Sequence, residues 1–176
     1  MNYKYCLIVF LLFLNCIHSQ EISKNIYDIA RKGSVAEAKE LIVANPKIVL
    51  EANKDGFTAL VLATYRGNNE VAKLLIESGA DINSSSSMGS PLMAAVVKGN
   101  NEIAKILLEK KANPNLADAN GMTALIYAVQ FQNVEILDLL LKYNANKSHK
   151  DKQGKTAFEY AAFSGNEKII NKLKLN

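Results

Sequence analysis

The chain has 176 residues with a formal net charge of +4, and 49% of them are hydrophobic. This charge is weak for nucleic-acid binding, so we expect no nucleic-acid partner. Two histidines and two cysteines leave little material for catalysis or for a metal centre.

Residues 1–19 predict a secretory signal peptide. Lys4 precedes an apolar run from Cys6 to Leu14, and Ser19 offers a small residue at a cleavage point. The run is too short to cross about 30 Å of hydrocarbon as a helix. We therefore predict cleavage after Ser19, export to the periplasm or outside the cell, and no membrane span after processing. Two alternatives stay open: a helical membrane anchor, and a lipoprotein through Cys16, which follows a poor lipobox.

Removal of the signal peptide changes the chemical inventory of the chain. Both cysteines leave with it, the net charge falls to +3, and His149 is the histidine that remains. A run of hydroxyls from Ser84 to Ser87 is predicted to be a solvated loop without a catalytic base. We therefore expect no enzyme activity, no cofactor and no metal.

Residues 20–176 form one predicted repeat domain. A glycine-led phrase recurs from Gly56, Gly89, Gly121 and Gly154, as in GMTALIYAVQFQ. The hydroxyl residues of the phrase, Thr58, Ser90, Thr123 and Thr156, are 32, 33 and 33 residues apart. Such a period is typical of stacked repeats.

Each copy predicts two helices and a turn. The hydroxyl residue can cap the first helix, and Pro91 suits a first helical turn. Apolar residues at i, i+3 and i+4, such as Ile103, Ile106 and Leu107, predict an amphipathic second helix. Stacking the copies would join these apolar stripes into one elongated core.

The pattern predicts five repeats at about 25–53, 54–83, 84–115, 116–147 and 148–176, of which the outer two are caps. Glu40 and Lys172 stand where the second copy has Leu74, as expected where a terminal helix meets water. The third repeat lacks one residue before Ser90, which predicts a shorter turn. Gln132 replaces a glycine that usually ends the first helix in a left-handed conformation, so either Gln132 or Asn133 must adopt that conformation.

The phrase G-x-T-P-L-x-x-A-x-x-x-G, followed by an apolar run and an ending such as SGADIN (78–83), resembles the ankyrin repeat. The resemblance covers about Asn25 to Asn176. It implies an all-α ankyrin-repeat solenoid of about five helix-turn-helix repeats with β-turn or hairpin fingers. In this family the fingers and the concave face of the first helices usually bind protein partners.

The resemblance also implies which residues contact a partner. The finger positions and the exposed ends of the first helices correspond to Lys54, Asp55, Phe57, Tyr65, Arg66, Lys98, Asn120, Met122, Gln130, Phe131, Lys152, Gln153, Lys155 and Phe163. Three aromatic residues in this set suggest anchors in an open groove. The competing interpretation is that Phe131 and Phe163 pack against the next repeat.

The sequence therefore predicts a monomeric, exported and non-catalytic module that binds a protein partner. Two other hypotheses remain open. The chain could be an immunity or inhibitor protein against a secreted enzyme or toxin, or a secreted host-directed effector. Because a fold does not define a function, the identity of the partner has to decide between them.

Overall fold

The computed structural model describes residues 25–87 and 89–174, which fold into ten α-helices and one 3₁₀ helix. The helices are α1 (Ile26–Lys32), α2 (Val35–Ala44), α3 (Ala59–Arg66), α4 (Asn69–Glu77), α5 (Pro91–Val97), α6 (Asn101–Glu109), α7 (Ala124–Gln130), α8 (Val134–Lys142), α9 (Ala157–Ser164) and α10 (Glu167–Lys174), with the 3₁₀ helix at Pro46–Leu50. The predicted all-helical repeat solenoid is confirmed. The predicted signal peptide lies outside the described residues.

The helices form two layers. The first layer contains α1, α3, α5, α7 and α9, each packed on the next, and the second layer contains α2, α4, α6, α8 and α10 in the same order. Each helix pair also packs across the layers. One continuous core of mostly aliphatic side chains therefore runs through the stack between the layers.

Local sequence starts the first-layer helices, as predicted. The hydroxyls of Thr58, Ser90 and Thr123 each accept a hydrogen bond from a backbone N–H three residues later. Thr156 does the same and forms a reciprocal capping box with Glu159. Pro91 occupies the first turn of α5, where its missing N–H costs nothing.

Asparagines tie each second-layer helix to the preceding repeat. The Asn100 side chain accepts from the Ile103 N–H and donates to Asn69 Oδ1 at 2.6 Å. Asn133 repeats this arrangement with Ile136 and Asn101. These polar bonds fix the register between helix pairs that are otherwise joined by apolar packing.

The structure bears on three expectations drawn from the sequence: the conformation at Gln132, the charged residues of the outer helices, and the serine run. Gln132 adopts the left-handed conformation with φ of 53°, while Asn133 has a φ of −83° and caps α8. Glu40 is exposed as expected, but Lys172 is partly covered and pairs with Asp138 of α8 at 2.6 Å.

The prediction that the whole Ser84–Ser87 run is solvated is wrong. Ser84 is buried, and its hydroxyl lies 3.1 Å from the Thr58 hydroxyl.

Candidate protein-binding surface

Four turns precede the first-layer helices, and we name each after the helix that follows. They are the α3 finger (52–58), the α5 finger (closed by Ser86 and Gly89), the α7 finger (117–123) and the α9 finger (151–155). With the exposed ends of the first-layer helices they form one surface, the finger face. Its predicted contact residues are those given above.

A side-chain oxygen organises three of the fingers. Asn53 Oδ1 accepts from the backbone N–H groups of Asp55 and Phe57, at 3.0 and 2.9 Å. Asp118 and Asp151 do the same in the α7 and α9 fingers. A short side chain that accepts two backbone donors sets the turn, so the finger tips are presented in a defined conformation.

Tyrosines attach two fingers to their helices. The Tyr127 hydroxyl donates to Asp118 Oδ2 at 2.6 Å, and the Tyr160 hydroxyl donates to Asp151 Oδ2. Desolvation by burial, and then the bond to the Asp118 carboxylate, raise the pKa of Tyr127 to about 12. This phenol therefore stays protonated and keeps donating at any physiological pH.

The α7 and α9 fingers are also bonded to each other. The Lys152 N–H donates to the Asn120 carbonyl at 3.0 Å, and His149 Nε2 lies 2.8 Å from the Gly121 carbonyl. Gly121 has a φ of 77°, and an added Cβ would lie 2.9 Å from the Lys152 backbone nitrogen. Glycine is therefore required here for its conformation and for the close approach of the α9 finger.

The α5 finger is shorter, as predicted from the missing residue. Its N–H and carbonyl pairing joins Ser86 to Gly89, three residues apart, whereas Asn53 pairs with Phe57 four residues away. The Ser86 hydroxyl also donates to the Gly89 carbonyl at 2.9 Å. This finger therefore projects less chain than its neighbours.

Most predicted finger residues are exposed. Their side chains reach solvent at Lys54, Asp55, Asn120, Lys152, Gln153 and Lys155. The prediction for Met122 is wrong, because its side chain is only 7% exposed and belongs to the hydrophobic core. Phe57 is partly buried and packs against the same core. In the α3 and α7 fingers the residue before the cap is thus turned toward the core, whereas Lys155 at the same register of the α9 finger is exposed.

The ends of the first-layer helices carry the exposed aromatic residues. Phe131 is 53% exposed although a repeat follows it, and Phe163, in the last described repeat, is 95% exposed. Tyr65 is partly buried, while Arg66, Lys98 and Gln130 are exposed. Large apolar side chains open to water in this way are typical of contact sites.

Two ring contacts connect these side chains. Lys98 Nζ lies 4.7 Å above the centre of the Tyr65 ring and so links the ends of α3 and α5. The rings of Tyr127 and Phe131 stack with centroids 6.4 Å apart. Both contacts hold an exposed side chain in place before any partner arrives.

Sequence reasoning missed Tyr127 and Tyr160 as organisers of the surface. The signal was present, because each tyrosine follows its aspartate by nine residues, at Asp118 and at Asp151. A polar pair repeated at one register in two neighbouring copies indicates a contact within the repeat. The contacts of His149 carry no such repeated signal, since the other copies lack the histidine.

The described residues contain neither a membrane-spanning helix nor a cluster of metal ligands. Within 25–87 and 89–174 there is no helix long and apolar enough to cross a membrane. The same residues contain no group of three or more histidine, cysteine, aspartate or glutamate side chains placed to hold a metal ion.

Stacked helix pairs with turn fingers on one edge define a helical-repeat protein. The family model described as "Ankyrin repeats (3 copies)" matches residues 24–118 and residues 92–175. The chain belongs to the ankyrin repeat family. Ankyrin repeats indicate a protein–protein interaction module and are in general not catalytic.

Shorter matches connect the chain to larger proteins. The E3 ubiquitin-protein ligase XBAT33 of Arabidopsis thaliana is 39% identical over 61 residues, which are 34% of this chain and 12% of that protein. The protein fem-1 homolog A-like of Mus musculus is 40% identical over 50 residues, 28% of this chain and 8% of that protein. The chain thus spans about a tenth of the length of these relatives.

Proposed function

We propose that this protein is a non-catalytic, monomeric binding module that holds a single protein partner on its finger face. The observation that carries the proposal is the exposure of Phe131 and Phe163 at the ends of neighbouring first-layer helices, at 53% and 95%. A few aromatic anchors usually supply most of the free energy of a protein interface. The fingers beside them are fixed by internal hydrogen bonds, so little conformational entropy is lost on binding.

The proposal includes export, which rests on the leader sequence of residues 1–19. The partner would then lie in the periplasm or outside the cell. Mass spectrometry of the protein from its native cell should find an N-terminus at Gln20. A mature N-terminus at a lipid-modified Cys16 would favour the lipoprotein alternative, and an intact Met1 in the cytoplasm would contradict export. Inhibition of a secreted enzyme or toxin, or action on a host cell, would be particular forms of the same function.

Affinity capture with the tagged chain tests the binding function. We expect one specific partner to be retained, and simultaneous replacement of Tyr65, Phe131 and Phe163 by alanine to weaken its binding at least tenfold. The matched control replaces Val43 and Leu50, which are also exposed and apolar but lie in the first helix pair and its following turn. Unchanged affinity of the folded triple variant would place the partner elsewhere on the molecule.

A further inference from the structure

We infer that the finger face takes an extended acidic segment of its partner that also carries apolar side chains. The inference rests on the proposed function and specifies the chemistry of the occupant. It is carried by the exposed cations of the finger face and by the absence of carboxylates from three first-layer helices, α3, α5 and α7. The partner segment would supply carboxylates to the fingers and helix ends, and aromatic or branched side chains to Phe131 and Phe163.

Four cations of the finger face have no carboxylate partner among the described residues, whereas the charge of Lys155 helps to lower the pKa of Asp151 and of Glu159. Lys54, Arg66, Lys98 and Lys152 are all exposed, and none forms an ion pair with another described residue. Lys98 instead lies over the Tyr65 ring, which orients its charge without neutralising it. These charges are therefore available to an external anion.

Two lysines of the second layer have carboxylate partners close by. Lys73 lies 2.9 Å from Glu70 and 2.6 Å from Glu102, and Lys105 pairs with Glu109. The hydrogen bonds that Lys73 donates to Glu102 and then to Glu70 raise the pKa of Lys73. Lys73 and Lys105 are thus neutralised within the second layer, whereas Lys39, Lys142, Lys168 and Lys174 form no ion pair with another described residue.

The carboxylates are distributed unevenly between the two layers. Helices α3, α5 and α7 contain no aspartate or glutamate, whereas α4, α6 and α8 contain two carboxylates each. The carboxylates of Asp118, Asp151 and Glu159 on the finger side accept hydrogen bonds within their own fingers. Asp55 lies beside Lys54 at a tip. An acidic segment that approaches the ends of α3, α5 and α7 therefore meets no carboxylate of these helices.

The spacing of apolar and charged groups indicates an extended ligand with mixed chemistry. Tyr65 and Lys98 bridge two neighbouring repeats, and Phe131 lies at the same helix-end position two repeats after Arg66. Cationic and aromatic groups thus follow one another along successive repeats. An extended peptide that alternates acidic and apolar residues would match this order with complementary charge and apolar contact.

The experiment selects peptides with the full-length chain as bait. A phage-displayed library of random peptides about 12 residues long is enriched on the immobilised protein, and the dissociation constant of the best peptide is measured at low and high salt. The test variant is Arg66→Gln with Lys98→Gln, and a second is Lys54→Gln with Lys152→Gln. The control is Lys39→Gln with Lys105→Gln in the second layer, which removes the same number of charges.

We expect a net-negative pool rich in aromatic or branched residues, with affinity that falls as salt rises. Each finger-face double variant should weaken binding about tenfold, and the second-layer control should leave it unchanged. A neutral or basic pool of peptides whose binding still requires Phe131 and Phe163 would contradict the inference that the segment is acidic. That outcome would leave the proposed function unaffected. Enriched peptides that are insensitive to every finger-face change, or no enrichment at all, would overturn both.

Discussion

The α7 and α9 fingers differ from the α3 and α5 fingers in how firmly they are held. In the former pair a tyrosine hydroxyl donates to the organising aspartate, and backbone bonds join one finger to the next. The α3 finger has the Asn53 turn and the contact of the Thr58 hydroxyl with Ser84, but it has no tyrosine bond, since Leu62 stands at the register of Tyr127. The α5 finger is shorter. One half of the finger face is therefore a bonded unit, and the other half consists of separate turns.

This difference indicates a division of roles on the finger face. The bonded half carries Phe131 and Phe163, the most exposed aromatic residues of the surface. The other half carries Arg66 and Lys98, whose positions depend on the helix ends and on the Tyr65 ring. Exposed aromatic anchors with charged neighbours are typical of binding surfaces in which apolar contacts give affinity and charges set partner choice.

Substitution of Gly121 should have the largest effect on this contrast. Gly121→Ala forces alanine into a φ of 77° and places its Cβ 2.9 Å from the Lys152 backbone nitrogen. We expect a loss of about 2–4 kcal/mol in the free energy of unfolding by urea. Gly56→Ala is the matched control in the α3 finger, with a φ of 80° and nothing within 4 Å of the added Cβ. It should cost only about 1–2 kcal/mol, and equal losses would contradict the coupling of the two later fingers.

Removal of the tyrosine hydroxyls should have the next largest effect. Tyr127→Phe deletes the 2.6 Å bond to Asp118, and Tyr160→Phe deletes the bond to Asp151. Each substitution should cost about 1–2 kcal/mol in urea denaturation, because the acceptor is charged and partly desolvated. Tyr143→Phe in the second layer provides the control, since its hydroxyl has no hydrogen bond among the described residues. A loss in the control as large as in the two variants would refute the role of the finger bonds.

The sequence predicted the stack far better than the finger face. The caps at Thr58, Ser90, Thr123 and Thr156 depend on residues three positions away, and the core depends on a periodicity that four copies repeat. Such signals are local or repeated, so they can be recognised without coordinates. The exposure of Phe163 stays open at the level of sequence, because its position in the repeat also allows packing against a next repeat.

The failures at the finger face have a common physical cause. Ser84 is covered by a contact with Thr58 of the preceding repeat, and Met122 lies in the hydrophobic core. The position of a residue within the repeat does not show either outcome. The bond between His149 and Gly121 crosses 28 residues and occurs once. Contacts of this kind are decided by tertiary packing, so a single sequence does not predict them.

A buried hydroxyl in the first half of the stack provides a smaller test. Thr64 is fully buried in α3, and its Oγ1 has no hydrogen-bond partner among the described residues, whereas α5 and α7 have Val96 and Val129 at this register. Thr64→Val should stabilise the protein by about 1 kcal/mol, because an unsatisfied polar atom is replaced by a methyl group. Thr123→Val is the contrasting variant. It should cost about 1 kcal/mol, since its hydroxyl caps α7. Destabilisation by Thr64→Val would mean that the Thr64 hydroxyl has a hydrogen-bond partner in the folded protein.

The smallest expected effect is a difference in acid sensitivity between the α9 and α3 fingers. The Tyr160 hydroxyl, followed by the Lys155 and Gln153 N–H groups, lowers the pKa of Asp151 in the folded protein. Because the unfolded chain then takes up the proton first, Asp151 stabilises the fold above its ordinary pKa of about 3.9, and this contribution disappears as pH falls through the lowered value. The α3 finger has Asn53 at this position, which does not titrate.

Urea midpoints measured at pH 7 and at about pH 3 should therefore separate three proteins. The wild type should lose the most stability on acidification, and Tyr160→Phe should lose less because the largest cause of the shift is gone. Asp151→Asn, which gives the α9 finger the side chain of the α3 finger, should lose the least. Glu159 also makes all three proteins lose stability on acidification, because the Thr156 N–H and hydroxyl lower the pKa of Glu159. Equal losses in all three proteins would mean that the Tyr160–Asp151 bond adds no pH-dependent stability to the α9 finger. The two halves of the finger face would then differ in geometry alone.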